Sequence, residues 1–438
     1  VDVTTAAGDL TISGLITSGS NNVTLMSAAS INLNYEPGPG DVITTTTGSV
    51  VLQDPVSLQA NAQITAGGGG SVTFNGDISD AGTNSLIVDA ATGDVNLNVD
   101  SVVTGGAQTW TATNLDIDAQ TAGDPLTLQT TDSSVTVTTT GAVRIAGDDD
   151  LTVDTGNGAG DITLDAVTGV AAPGANKDIY LRAGTGTVTL NGAVSDETFL
   201  RDLMIRSDDL QITADGSIAI AGVLSLYTEN GTVPMNVGQS GGGGTWSLDD
   251  SEIVGTGGTA GTVDDRIKAA SSIIIGESTV QSAGVTVVTA DLSGVNGTGV
   301  PVTLNSDSGA GSLYFNDEQS EAALNTGSGD ITLSAGTGDI RAEEFSYPDP
   351  DYDQAQPELE TSGVIDLGIS STGAGQIGDS QLSSPDPGSG NGPIQIQTGH
   401  AEVNVTNAPD GVWLEGLGGE IVIGTISGTV GIVSLTVF

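Results

Sequence analysis

The chain has no cysteine, one histidine, 3% aromatic residues and only 8 basic residues among 438. Each shortage removes a class of chemistry. Without cysteine there are no disulfides, thiolate metal sites or cysteine nucleophiles. A single imidazole, His400, rules out metal centres built from several histidines. The 8 basic residues face 55 acidic ones, for a net charge of −47. Such a surface repels phosphate, which argues against nucleic acid and anionic membranes as partners. No apolar run approaches about 18 residues, so no direct insertion into a membrane as a helix is expected.

The chain does carry 65 glycines and 37% apolar residues. Val, Ile, Leu and Ala dominate the apolar set, too large a share for a disordered acidic chain. Short alternating runs recur, among them Asp9–Ile12, Ser30–Leu33, Ser71–Phe74, Asp94–Leu97, Asp161–Leu164, Thr187–Leu190 and Asp330–Leu333. Apolar/polar alternation with β-branched residues is the signature of a strand with one buried face. Strand centres recur about every 8–13 residues and alternate ones about every 17–23, the mark of a repeating coil. The expected fold is therefore all-β: an elongated parallel β-solenoid, a right-handed β-helix of roughly 20 residues per turn and about 20 turns. A string of β-sandwiches is the competing arrangement, because evenly spaced strands serve both.

Recurring words mark the corners of such a coil: Ala91–Leu97 (ATGDVNL), Ala183–Leu190 (AGTGTVTL), Gly327–Leu333 (GSGDITL) and Ser334–Arg341 (SAGTGDIR). Glycine there supplies turns with positive φ, and the V/I-x-L that follows sends two side chains inward. Three places break the rhythm. Asp196–Met204 has helical spacing and reads as a short helix or loop insert, and Asn316–Ala323 is a weaker helical candidate. Residues 343–362 form an acidic, Pro- and Tyr-rich loop that divides solenoid 1–342 from continuing solenoid 363–438. Since Val1 and Phe438 both interrupt a running pattern, the chain reads as a piece of a longer protein.

The G-[TS]-G-D-[IV]-T-L words in coils of about 20 residues resemble the filamentous-haemagglutinin-like and autotransporter-type β-strand-repeat proteins. The resemblance is periodic and compositional rather than motif-specific. It implies a secreted bacterial surface rod used in adhesion or surface structure. The secretion domain and membrane barrel of that family are missing from this sequence.

Chemistry-bearing constellations are few. Asp349, Asp351, Asp353 and Glu360 occupy positions 1, 3, 5 and 12 of an EF-hand-type calcium loop. Gln354 stands where that loop needs Gly, and Pro350 and Pro357 stiffen it. A solvated acidic loop is the plainer reading. Asp148, Asp149 and Asp150 form a second, lesser cluster. The lysines Lys177 and Lys268 are scattered, His400 follows Gly399 at a turn, and Trp110, Trp246 and Trp413 lie far apart. No catalytic set emerges, and no cofactor beyond calcium is suggested. Thr44–Thr47 and Thr136–Thr140 form local threonine clusters, with no ladder across many turns visible in the sequence.

The expected function is a non-enzymatic extracellular rod, fibre or layer component. Its partners would be copies of itself, end to end or side by side, or a cell-surface or glycan receptor. A carbohydrate-binding or carbohydrate-cleaving β-helix and a calcium-dependent assembly module are the alternatives.

Overall fold

In a computed structural model of the chain, the alternating words become strands. Residues 1–35, 42–80, 82–121, 123–147, 149–170, 176–196, 198–239, 245–253, 266–269, 271–288, 290–293, 299–316, 322–342, 357–369, 375–379, 393–398, 402–417 and 421–437 are described. Among the described residues the strands pair in parallel and stack as a β-solenoid of about 14 turns with about 25 residues per turn. Turns are therefore longer and fewer than the sequence spacing suggests. Each turn in the first half holds three strands rather than two, and its corners vary in length. Equivalent residues stand 20 apart at Asp94 and Asn114 but 28 apart at Asp116 and Arg144.

Two compact units divide the chain. The amino-terminal unit comprises Val1–Ser207 and Gln211–Ala221. Each of its turns gives one strand to each of three faces. Face one runs from Asp2–Thr4 through Val50–Leu52 and Val95–Leu97 to Ser217–Ile220. Face two runs from Leu10–Ile12 to Leu200–Arg206, and face three from Ile16–Ser18 to Thr187–Leu190. The inward residues form columns. On face three Ile43, Ile64, Val88, Trp110, Val137, Leu164 and Leu190 follow one another in register and are almost wholly buried. Each such apolar side chain contributes about 1.5–3 kcal/mol on burial. The region Asp196–Met204, expected as a helix or insert, is instead strand from Leu200 onward. Leu203 and Ile205 alternate inward there, and the strand pairs with Lys177–Arg182.

Much of the acidity belongs to this frame. Aspartates at the corners accept backbone N–H groups from adjacent turns. Asp54 Oδ2 takes Ser27 N–H at 2.7 Å, and Asp77 Oδ1 takes Asp100 N–H at 2.9 Å and Ser101 N–H at 3.0 Å. Asp165 Oδ2 takes Thr139 N–H at 2.7 Å. Charge-assisted bonds of this kind are worth more than neutral ones. Side-chain amides stack too: Asn98 donates to Asn75 at 2.7 Å, and Asn75 to Gln53 at 2.9 Å.

Asp80 is the most heavily bonded of these corners. It accepts from Gly82 N–H, Asn84 N–H and Asn84 Nδ2, each at 2.8 Å, and from Gly105 N–H at 3.0 Å. Burial pushes its pKa up, but the donors of Gly105, Gly82 and Asn84 together outweigh that and lower it. Asp80→Ala should cost about 1–3 kcal/mol at neutral pH, because it leaves those donors unmatched. The contribution is complete above the ordinary carboxylate pKa of about 4 and is lost as pH falls through the lowered folded value. Denaturant unfolding at neutral pH and in strong acid should therefore show a gap between wild type and variant that closes in acid.

The carboxy-terminal unit comprises Asp208–Leu210 and Gly222–Phe438. One of its faces stacks Val223–Tyr227, Ser272–Ile275, Val302–Ser306, Ile331–Ala335, Ile365–Ile369, Glu402–Ala408 and Val422–Val430. Most of its other strands fall into two columns that merge at Gly411–Leu417. The start of that strand pairs with Gln376–Ile377 and its end with Ile394–Thr398. A coil of three faces becomes a coil of two there, and Val433–Val437 continues on the merged face.

Candidate functional site

On the first face of the carboxy-terminal unit, outward residues stand in two rows. Thr303, Thr332, Asp366 and Asn404 form one; Asn305, Ser334, Gly368 and Thr406 form the other. Gly368 is a missing tooth in the second row. A Cβ placed there would sit at ordinary contact distance, 3.7 Å from the Thr406 carbonyl and 3.8 Å from that of Leu333, so the position has room for a side chain that the sequence does not supply. The gap is part of a groove of about 420 Å³, lined among others by Asp307, Thr332, Ser334, Asp366, Gly368 and Thr406.

The two carboxylates differ. Asp366 Oδ1 accepts from Asn404 Nδ2 at 3.0 Å. Asp307 Oδ2 accepts from Ser334 Oγ at 3.1 Å, while its Oδ1 is buried with no hydrogen-bond partner. Burial pushes the Asp307 carboxyl above its usual range, against the opposing bond from Ser334. The groove thus offers the Asp366 carboxylate and the four hydroxyl side chains of Ser278, Thr332, Ser334 and Thr406, with Asp307 also in its lining. That set suits a ligand rich in hydroxyl donors.

The Asp307 shift has a stability consequence. Below the ordinary carboxylate pKa both folded and unfolded chains hold the proton, and Asp307 costs nothing. As pH rises, the unfolded chain ionises first, so stability falls until pH passes the raised folded value. Asp307→Asn should therefore match wild type in acid and exceed it in melting temperature at neutral pH.

Asp349, Asp351 and Asp353 lie outside the described residues. Glu360 lies in the strand Leu359–Thr361, where burial first, and then Asp291, pushes its pKa up. Calorimetric titration of calcium into the whole chain and into Asp351→Ala tests the calcium-loop reading: heat lost in the variant supports it, and no heat in wild type ends it. Asp148 and His400 also lie outside the described residues. Asp149 Oδ2 accepts from Ala119 N–H at 2.8 Å, and Asp150 Oδ1 from Asp178 N–H at 2.7 Å, so both tie turns together. Among the described residues, no group of three or more His, Cys, Asp or Glu is placed to hold a metal.

Trp110 and Trp246 are core residues, 1% and 0% exposed, and neither lines the groove. Lys177 turns inward, fully buried, with its Nζ 5.5 Å from the centre of the Phe199 ring. Arg144 pairs with Asp116 one turn away and reaches Asp94 at 3.8 Å, and Arg182 reaches Asp154 at 3.6 Å. The groove was not legible in the sequence. Its signal, a Gly in the middle of Ile365–Ile369 where its neighbours carry Ser and Thr, has meaning only once the register is known. Among the described residues, no helix is long and apolar enough to cross a membrane. Comparison with known proteins matches no family model, no curated protein and no solved structure.

Proposed function

We propose that this chain is a non-enzymatic structural and adhesive protein of a bacterial cell surface, fibre or layer, secreted and displayed outside the cell. The observation that carries this reading is the stacking itself. Adjacent turns place their outward residues in register, and the corners are tied by carboxylate-to-backbone bonds. The product is a repeating surface, which suits display to a receptor or to further copies. Its excess negative charge keeps like surfaces apart in solution. Antibody raised against the chain should label intact, unpermeabilised cells of its source; label that appears only after lysis would overturn the reading.

The groove at Gly368 favours one further reading, a glycan as the receptor. A glycan array should then return hits that weaken for Asp366→Ala. An array without hits removes the glycan and leaves the surface role standing.

A further inference from the structure

The third face of the amino-terminal unit carries what the sequence concealed. Thr109, Thr136, Thr163 and Thr189 are register partners on four successive turns. A second row runs beside it: Thr17, Thr44 and Thr65, then Asp89, then Thr111 and Thr138. Thr44 of the first local cluster and Thr136 and Thr138 of the second thus belong to threonine rows, which run side by side on the strands Gln108–Ala112 and Val135–Thr139. Irregular corner lengths hide them, because register partners are separated by unequal stretches of chain.

Three features bear on what this face can bind. First, its rows repeat at about 4.8 Å from turn to turn and about 6.6 Å between alternate residues of a strand. Both steps lie near oxygen-to-oxygen repeats on the faces of hexagonal ice. Second, six of the threonine hydroxyls are unspent. Those of Thr109, Thr111, Thr136, Thr138, Thr163 and Thr189 make no hydrogen bond within the described residues, and these side chains are partly or fully exposed. Third, the face is nearly free of charge. Eight of its nine strands, from Ile16–Ser18 to Thr187–Leu190, contain one charged residue, Asp89, and the ninth, Asp209–Ile212, adds Asp209, in a chain of net charge −47. Face two, by contrast, has Asp178, Arg182, Arg201 and Asp202 in its strands.

We propose that this threonine face binds ice. β-Branched threonine is stiff at χ1, so a stacked row holds its hydroxyls and methyls in fixed positions. Each hydroxyl both donates and accepts, and water bridging neighbouring hydroxyls bonds nearly as well as a direct partner. On an ordinary surface, ordering that water costs entropy. Against an ice plane of matching repeat the water is already ordered, and the methyl groups fill the spaces between. An acidic side chain would hold its own hydration shell and break the match. This accounts for a neutral stripe on an otherwise acidic protein. The proposal rests on this face alone and is independent of where the protein resides.

The test uses the whole chain, labelled with a fluorophore, and follows its partition into slowly growing polycrystalline ice and its inhibition of recrystallisation. Wild type should enter the ice. Thr136→Tyr and Thr163→Tyr, at outward positions that leave the core untouched, should each lower partition roughly tenfold or more by breaking the shared water lattice. Thr152→Tyr, outward on face two, should behave as wild type, and circular dichroism should show all three variants folded. Exclusion of wild type from ice overturns the proposal, as does an equal loss in all three variants. A loss of self-association in Thr163→Tyr, with wild type excluded from ice, would make the face a contact between copies instead.

Discussion

Trp110→Ala should destabilise the amino-terminal unit by about 3–5 kcal/mol, the cost of a large cavity in a close-packed interior. Trp110 is 1% exposed and sits in its column between Val88 and Val137. Phe74, from another face, meets it edge to face, with centroids 6.3 Å apart and planes at 82°. The indole therefore spans the coil interior and touches side chains from two faces. Alanine would leave a void that neighbouring turns cannot close, because their spacing is fixed by the strand ladder on every side. The damage should be local. In a stacked fold each turn is stabilised mainly by its neighbours, so hydrogen exchange should quicken most in Leu86–Asp89, Gln108–Ala112 and Val135–Thr139. Trp110→Phe separates volume from polarity. Trp110 Nε1 is buried without a hydrogen-bond partner, a defect of about 1–3 kcal/mol that phenylalanine removes while filling most of the space. The Phe variant should therefore unfold within about 1 kcal/mol of wild type. Equal losses for Ala and Phe in denaturant titrations would show that Trp110 acts through its N–H and not through its bulk.

The strands were legible because their cause is local. Words of the form apolar-x-apolar fix which residues point inward whatever the neighbouring turn does, and Leu10–Ile12, Val72–Phe74, Ile162–Leu164 and Ile331–Leu333 all obey them. Leu200–Arg206 misled because Leu200, Leu203 and Met204 also satisfy a helical spacing over so short a run; pairing with Lys177–Arg182 decides for strand. The groove and the threonine ladder were hidden for another reason. Both depend on which residue of one turn lies over which residue of the next. Corners of unequal length scramble that relation, so Gly368 between Ser334 and Thr406, or Thr136 between Thr109 and Thr163, has no signature in the linear chain. Lys177 was hidden too, since its place at the inward start of a strand depends on the corner before it.

Glycine gives the last large effect, and its physical cause differs from the one the repeat words suggest. The words imply corners where glycine supplies positive φ, and Gly184, at φ 57°, does so. Gly48, Gly70 and Gly93 do not have positive φ; they form a column in which each lies against the backbone of the turn before. A Cβ on Gly93 would fall 2.0 Å from the Gly70 carbonyl oxygen, one on Gly70 2.2 Å from that of Gly48, and one on Gly48 2.1 Å from that of Asn21. Gly311, Gly338 and Gly375 repeat the arrangement in the other unit, with distances of 2.1 Å at Gly338 and Gly375. The obstacle is main chain, so no rotamer change relieves it. Nor can the turns part there, because Val72 N–H donates to Asp94 O at 3.0 Å and the strands Val72–Phe74 and Val95–Leu97, which follow the two glycines, pair in register. Gly93→Ala must therefore break the ladder locally, and its cost should exceed about 4 kcal/mol, in the class reserved for such defects. Gly14→Ala, at a corner where nothing lies within 4 Å, is the matched control and should stay within about 0.5 kcal/mol of wild type. Thermal unfolding of the two variants side by side decides the matter. If Gly93→Ala melts with Gly14→Ala, the column is slack and the glycines serve only the turn; if it melts far below, close approach of successive turns is what the recurring Gly-Asp words encode.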